Sequence, residues 1–254
     1  MKSAGSATGL AAKLICSIFL TFFVLSVFGP SYSYAQNSSP SPIHAPNNSP
    51  SSLSNNVKPI SQKRTELLLS RAGFPVGTVD GIYDTDTRRA LCLWRDYSGR
   101  MASRRLPSLK ERFLLATIVT PKVPTRLVTG INISRTCQTV SLVAYSNYRK
   151  ARYFVKFFKA STGQPGFETR TGTFRIYSQT NDWLESNVYP GAMMYKPKFF
   201  SGGQALHGSA SDSLVLPYPA SHGCIRLLHS AVDYLWANGY GIGTMVLVYG
   251  DWLG

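Results

Sequence analysis

Past Pro124 the chain changes period, and that change narrows what it can fold into. Leu127–Ile133, Gln138–Tyr145 and Ala151–Ala160 are rich in β-branched and aromatic residues and read as strands. Arg152, Lys156 and Lys159 punctuate the third of these, which predicts a face open to solvent. Ser161–Gly166 reads as a turn, and Thr171–Ile176 begins another strand. Further on, Leu227–Ala237 reads as a helix with Val232, Leu235 and Trp236 inward and Gly239 as its stop, and Thr244–Tyr249 is a closing strand. Residues 127–254 are therefore expected to be mainly β with one C-terminal helix.

The preceding residues follow another rule. Leu67, Leu68, Leu69 and Ala72 keep a helical period that ends at Gly73. Asp84 can cap a second helix over Thr85–Tyr97, with Ala90, Leu91 and Trp94 as its apolar stripe. Ser108 and Glu111 form a capping box for a third, running to about Ile118. The expectation is an α+β multidomain chain: a small three-helix bundle at 60–118, a proline-stiffened linker at 119–126, and the β-rich part. Residues 36–59 are rich in Ser, Pro and Asn with almost no charge, and read as a flexible tether carrying the bystander His44. Residues 1–35 have the pattern of a secretory signal: Lys2 and Lys13, the apolar run Leu14–Phe28, then small residues around Ser33-Tyr34-Ala35. The run is shorter than the roughly 20 residues needed to span a bilayer, so a stable transmembrane anchor is not expected.

A formal net charge of +15 favours anionic partners: nucleic acid, acidic lipid or an anionic wall polymer. The chain lacks an aromatic-plus-basic RNA signature and cysteine–histidine finger spacing, which disfavours nucleic acid. Of the four cysteines, Cys16 lies in the leader. Cys92 and Cys137 are expected to pack as small buried hydrophobes, because a bridge between them would tie two separate domains together.

The chemistry concentrates in Gln204–Arg226, QALHGSASDSLVLPYPASHGCIR. His207, His222 and Cys224 are the residues that can act jointly, and each histidine precedes a glycine, Gly208 and Gly223. A thiol attacks only as thiolate, and a neighbouring imidazole can take its proton. Zinc is a competing account, with His207, His222, Cys224 and His229 as donors. His222-x-Cys224 is too tightly spaced for the usual ligand pair, so neither metal nor cofactor is expected. A papain-like peptidase would place its cysteine before its histidine, the reverse of this order. His229 opens a helix and stays outside the catalytic set.

His207-Gly208, followed seventeen residues after that histidine by the cysteine of Ser221-His222-Gly223-Cys224-Ile225-Arg226, resembles the signature of the L,D-transpeptidase catalytic domain of the YkuD type. The stretch STGQPGFETRTGTFRI resembles the same family, and LLSRAGFPVGTVDGIYDTDTRRALCLW resembles the three-helix peptidoglycan-binding domain. The resemblance implies an exported enzyme of the bacterial cell envelope acting on peptidoglycan stem peptides while held on the glycan. It gives Cys224 the nucleophile's role and His207 the base's. His222 and Ser221 would shape the site, Gly223 would lie near the oxyanion, and Arg226 would face substrate carboxylates. Tyr195, Phe200 and Gly208 would line the donor groove. An L,D-carboxypeptidase on the same stems and a wall-binding protein without activity are the alternatives.

Overall fold

Three short helices lead into a ten-stranded sheet in a computed structural model, which describes residues 60–117 and 121–252. The expected signal segment, the tether with His44, Ile118 and the first part of the linker lie outside the described residues. Helix α1 (Gln62–Arg71) starts behind Ser61, whose hydroxyl accepts from the Arg64 N–H at 3.2 Å, and ends before Gly73 at φ +89°. Helix α2 (Thr85–Tyr97) has the bounds its sequence predicts, with Asp84 accepting from the Thr87 N–H at 2.8 Å. Helix α3 (Leu109–Leu115) carries the capping box of Ser108 and Glu111 in both directions. Each such cap contributes about 1 kcal/mol.

The strands are β1 (Gly130–Ser134), β2 (Thr139–Ser146), β3 (Ala151–Ser161), β4 (Gly172–Arg175), β5 (Ser178–Gln179), β6 (Trp183–Glu185), β7 (Met193–Ser201), β8 (Gln204–Gly208), β9 (Ile225–Leu227) and β10 (Met245–Tyr249). They lie in the order β4-β10-β1-β2-β3-β9-β8-β7-β5, with β6 also paired to β7. Two pairs are parallel, β1 with β10 and β8 with β9. Helix α4 (His229–Ala237) follows β9 directly and covers one face, with Ala231, Val232 and Leu235 buried against Ile133, Leu206 and Ile225. Among the described residues no helix is long and apolar enough to cross a membrane.

The opposite face of β2 and β3 is where expectation and structure part. A bulge in β3 pairs Leu142 with Lys156 and Val143 with Phe154, leaving Val155 without an opposite number. One extra residue reverses the alternation of side chains. Phe154 and Phe157, three apart, consequently share the outer face, while Val155 and Phe158 join the inner core. The outer face is thus apolar, and the helices cover it: Phe154 stacks on Tyr97 at 4.7 Å between ring centroids, and Phe157 on Phe74 at 5.5 Å. Lys156 stays exposed as expected, over the Tyr234 ring at 4.3 Å, but the other two basic residues are engaged with the covering chain. Arg152 donates to the Leu127 and Pro124 carbonyls, and Lys159 pairs with Asp86 at 3.2 Å.

Helices and sheet therefore share one core, in which Leu69, Leu91 and Leu115 meet Leu127 and Val143. Cys92 and Cys137 do not pack as free hydrophobes: they form a disulfide through the middle of that core, across 45 residues of sequence. In the chain-entropy account a loop of that length stabilises by about 4 kcal/mol. Tyr97 to Ser141 at 2.7 Å and Tyr249 to Asp96 at 3.0 Å add hydrogen bonds between helix and sheet. The chain from 99 to 107 has its own anchor. Arg95, fully buried, meets Glu111 at 2.8 Å and donates to the Ser103, Arg105 and Leu106 carbonyls.

Candidate active site

Strands β8 and β9 carry the candidate residues because they run parallel, with His207 beside Arg226 in the register. Alternation sends Leu206, Ile225 and Leu227 into the core and His207 and Arg226 to the other face. Cys224 precedes β9 by one residue and lies two before Arg226, so it shares that face. The turn that delivers it is knotted by Ser221. The Ser221 hydroxyl donates to the Cys224 carbonyl at 2.6 Å and accepts from the Gly223 N–H at 3.2 Å. Gly223 sits at φ +109°, and a Cβ there would stand 2.6 Å from Gln204 Nε2. The φ favours glycine, and any side chain would also have to displace the Gln204 amide from its hydrogen bonds.

A second layer holds the turn. The Thr169 hydroxyl donates to the Gly223 carbonyl and accepts from the Gly163 N–H, both at 2.9 Å. The Gln204 amide donates to the Glu168 carbonyl and accepts from the Arg170 N–H, both at 3.0 Å. Sequence reasoning missed Thr169 and Gln204 as site residues. Thr169 lay inside the quoted STGQPGFETRTGTFRI stretch, but nothing in a lone threonine announces that it buttresses a turn over fifty positions away.

His207 is buried, with 7% of its surface exposed. Its Nδ1 lies 2.7 Å from the Gly208 carbonyl. A carbonyl only accepts, so Nδ1 carries the proton and Nε2 is left as the base. Burial, joined by the charge of Arg226, pulls the His207 pKa down to about 4 against the pull of Gly208. Burial also pushes the Cys224 thiol up, opposed by the Ala205 backbone and Arg226. Both shifts favour the neutral forms, a thiol and an unprotonated imidazole.

Two cavities meet at the thiol. One of about 520 Å³ is lined by Phe167, Glu168, Arg170, Leu184, Phe199 and Gln204. One of about 240 Å³ is lined by His207, Ser209, Leu214, Ser221 and Arg226. Ser186, Tyr189, Met194, His222 and Cys224 belong to both. His222 is exposed and held by rings, stacked on Tyr189 at 4.4 Å and edge-on to Phe167 at 5.0 Å. Tyr189, Phe167 and Met194 are further lining residues without a sequence signal of their own.

The structure thus brings Cys224, His207, His222, Ser221 and Arg226 together, and separates others from them. Phe200 is buried in the core against Phe174 at 5.5 Å, so it cannot line a groove; its neighbour Phe199 does. Tyr195 turns to Asp233, donating at 3.0 Å, and packs on His229 at 4.5 Å, away from both cavities. Gly208 contributes its carbonyl to His207 and close passage to the His229 ring, which a Cβ would strike. His229 itself meets the Ser209 carbonyl at 2.7 Å and supports the fold. The Gly223 N–H, turned to Ser221, is not aimed at an oxyanion. Among the described residues no three His, Cys, Asp or Glu side chains converge as metal ligands would.

Comparison with known proteins follows the same lines. Residues 130–248 match the family model of YkuD, the L,D-transpeptidase catalytic domain. Among solved structures the chain is similar to the L,D-transpeptidase (residues 123–326) from Xylanimonas cellulosilytica, with 27% identity and a TM-score of 0.51, over 74% of this chain and 92% of that one. It is also similar to the L,D-transpeptidase (Yku) from Stackebrandtia nassauensis, with 22% identity and a TM-score of 0.46, over 76% and 92%. No curated protein matches the chain.

Proposed function

We propose that this chain, which carries an L,D-transpeptidase catalytic domain of the YkuD type over residues 130–248, cross-links peptidoglycan stem peptides through a thioester on Cys224. The observation that supports this most is the place of the thiol: it is reached from two cavities, and an imidazole with a fixed tautomer lines one of them. Acyl transfer needs two substrates to meet one sulfur in turn, and a two-sided site allows it.

In the first half-reaction the Cys224 sulfur attacks the carbonyl between the third stem residue and a terminal D-alanine. His207 Nε2 takes the thiol proton as the C–S bond forms. The Cys224 N–H is the backbone donor assigned to the oxyanion, an interaction worth about 3–4 kcal/mol in measured cases. The imidazolium then returns its proton to the leaving amine, the C–N bond breaks, and the thioester remains. Arg226, in the smaller cavity with His207, suits the carboxylate of the departing D-alanine. The larger cavity holds the stem that stays acylated. In the second half-reaction an amine of a neighbouring stem attacks the thioester, loses its proton to His207, and frees the thiol. Water in place of the amine gives L,D-carboxypeptidase activity.

The signal segment at 1–35 would export the enzyme, and residues 36–59 would give it reach. The helices at 60–118 would hold glycan, raising the local concentration of stems. The test is a defined tetrapeptide stem given with and without an acceptor stem, with products and protein read by mass. A transpeptidase yields the cross-linked product and an acyl adduct that Cys224→Ala lacks. Hydrolysis alone would assign the carboxypeptidase, and turnover surviving in Cys224→Ala would refute the thiol's role.

A further inference from the structure

A third cavity, of about 560 Å³, lies where α2, the residues around Arg104 and Trp252 come together. It shares no lining residue with the two at Cys224. Its size is that of small-molecule sites, which run from about 300 to 1,000 Å³. Arg88, Arg104 and Arg105 line it together with the rings of Tyr218 and Trp252.

The charges there do not balance. Arg105 is matched by Glu111, which it meets through two nitrogens at 2.7 and 2.9 Å. Arg88 and Arg104 have no carboxylate partner among the described residues. The acid nearest in influence, Asp86, already serves Arg89 at 2.7 Å and Lys159 at 3.2 Å. Burial, with the like charges of Arg89 and Arg88, pulls the Arg104 pKa down to about 10. Arg104 is nevertheless fixed in place: it donates to the Pro217 carbonyl and lies over the Trp252 ring at 5.3 Å. Its Nε is buried without a partner among the described residues. Guanidinium groups gathered without counter-charge repel one another, and an oxyanion between them removes that cost.

We propose that this cavity binds a phosphoryl group carried on a sugar or polyol, with Arg88 and Arg104 on the oxygens and the Trp252 and Tyr218 rings against the body of the ligand. A phosphoryl group offers several acceptor oxygens to two planar donors, and aromatic faces suit the C–H surface of a saccharide or polyol. The site goes beyond the transpeptidase reading and stands or falls separately from it.

The experiment is calorimetric titration of the purified protein at physiological salt with inorganic phosphate, glucose 1-phosphate and polyglycerol phosphate. One saturable site is expected for at least one of the two organic phosphates. Arg88→Gln with Arg104→Gln should weaken it at least tenfold. Arg149→Gln with Lys150→Gln, which removes equal charge from the exposed β2–β3 turn, should bind as the parent does. Since Arg104 also holds Pro217, while Arg88 makes only a long 3.4 Å bond to the Arg104 carbonyl, Arg88→Gln alone is the second variant; it should weaken binding at least threefold with little change in melting temperature. Saturation by glucose 1-phosphate assigns a monoester, and by the polymer alone a chain of diesters. The site is overturned if no probe binds, or if the Arg149 and Lys150 variant loses as much. Inorganic phosphate binding as tightly as glucose 1-phosphate overturns the part given to the rings.

Discussion

At Cys224 and His207 burial acts on both partners in the direction of neutrality, and reactivity with pH should show it. The thiol lies above its ordinary pKa, so alkylation by iodoacetamide should be slow at pH 7 and climb through pH 9 and beyond. A rate already on its plateau at neutral pH would contradict the neutral ground state. With His207 as the proposed base, usable only when unprotonated, turnover should fall on the acid side near pH 4. The same shift bears on stability. His207 is depressed in the folded state, so the unfolded chain takes up its proton first as pH falls below about 6.5. That stabilisation is intact above 6.5 and declines until pH 4, amounting to about 3 kcal/mol. His207→Gln should flatten the melting temperature between pH 6.5 and 4. Gly223→Ala should lower turnover at least a hundredfold, since its φ disfavours a side chain and a Cβ would displace the Gln204 amide that holds the turn; measured turnover within tenfold of the parent would mean the turn can relax. Cys224, His207, His222, Ser221 and Arg226 were legible because they sit in one short motif. Tyr195 and Phe200 were misplaced for a physical reason. Strand β7 has two register shifts and a residue, Lys196, at φ +47°. Each irregularity reverses the faces, and nothing in GAMMYKPKFF says where they fall.

Among the elements, the helices were the most readable, because Ser, Asp and Glu at their starts bond to backbone with little help from the rest of the chain. Helix α2 kept its expected bounds for that reason. The long-range partners of those elements were not readable. Glu111 looked like a capping residue only, yet it also neutralises buried Arg95. Burial works to raise its pKa, and the Arg95 bond with the Ser108 N–H and Arg105 overcomes that, leaving it at about 2. A carboxylate held low contributes stability that is whole above pH 4.5 and shrinks as pH falls toward 2. Glu111→Gln leaves the Arg95 charge without its counter-ion and should cost about 3 kcal/mol in urea unfolding at pH 7. A loss below 1 kcal/mol would show that the backbone carbonyls around Arg95 suffice. The β3 bulge is the other silent device. Arg152, Lys156 and Lys159 predicted a wet face on β3; Lys156 does stay exposed, but one extra residue turns Phe154 and Phe157 together into the floor of a second core.

For the whole molecule, the shared core alters what the helices are for. A separate binding module could be removed without harm to the enzyme. Here removal of residues 60–117 would uncover Phe154, Phe157, Val143 and Tyr249 at once and leave Cys137 without its partner. The truncated protein should aggregate or melt well below the parent, and turnover on a soluble stem should fall with it. A truncated chain with parental turnover and melting temperature would show the helices to be dispensable cover. The disulfide has a consequence for Cys224 as well. Joining Cys92 to Cys137 takes an oxidant, and wherever one is present a ready thiolate is a target for mixed disulfides and sulfenic acid. Exchange begins from the ionised sulfur. The burial that pushes the Cys224 thiol toward its protonated form would thus spare it while Cys92 and Cys137 oxidise.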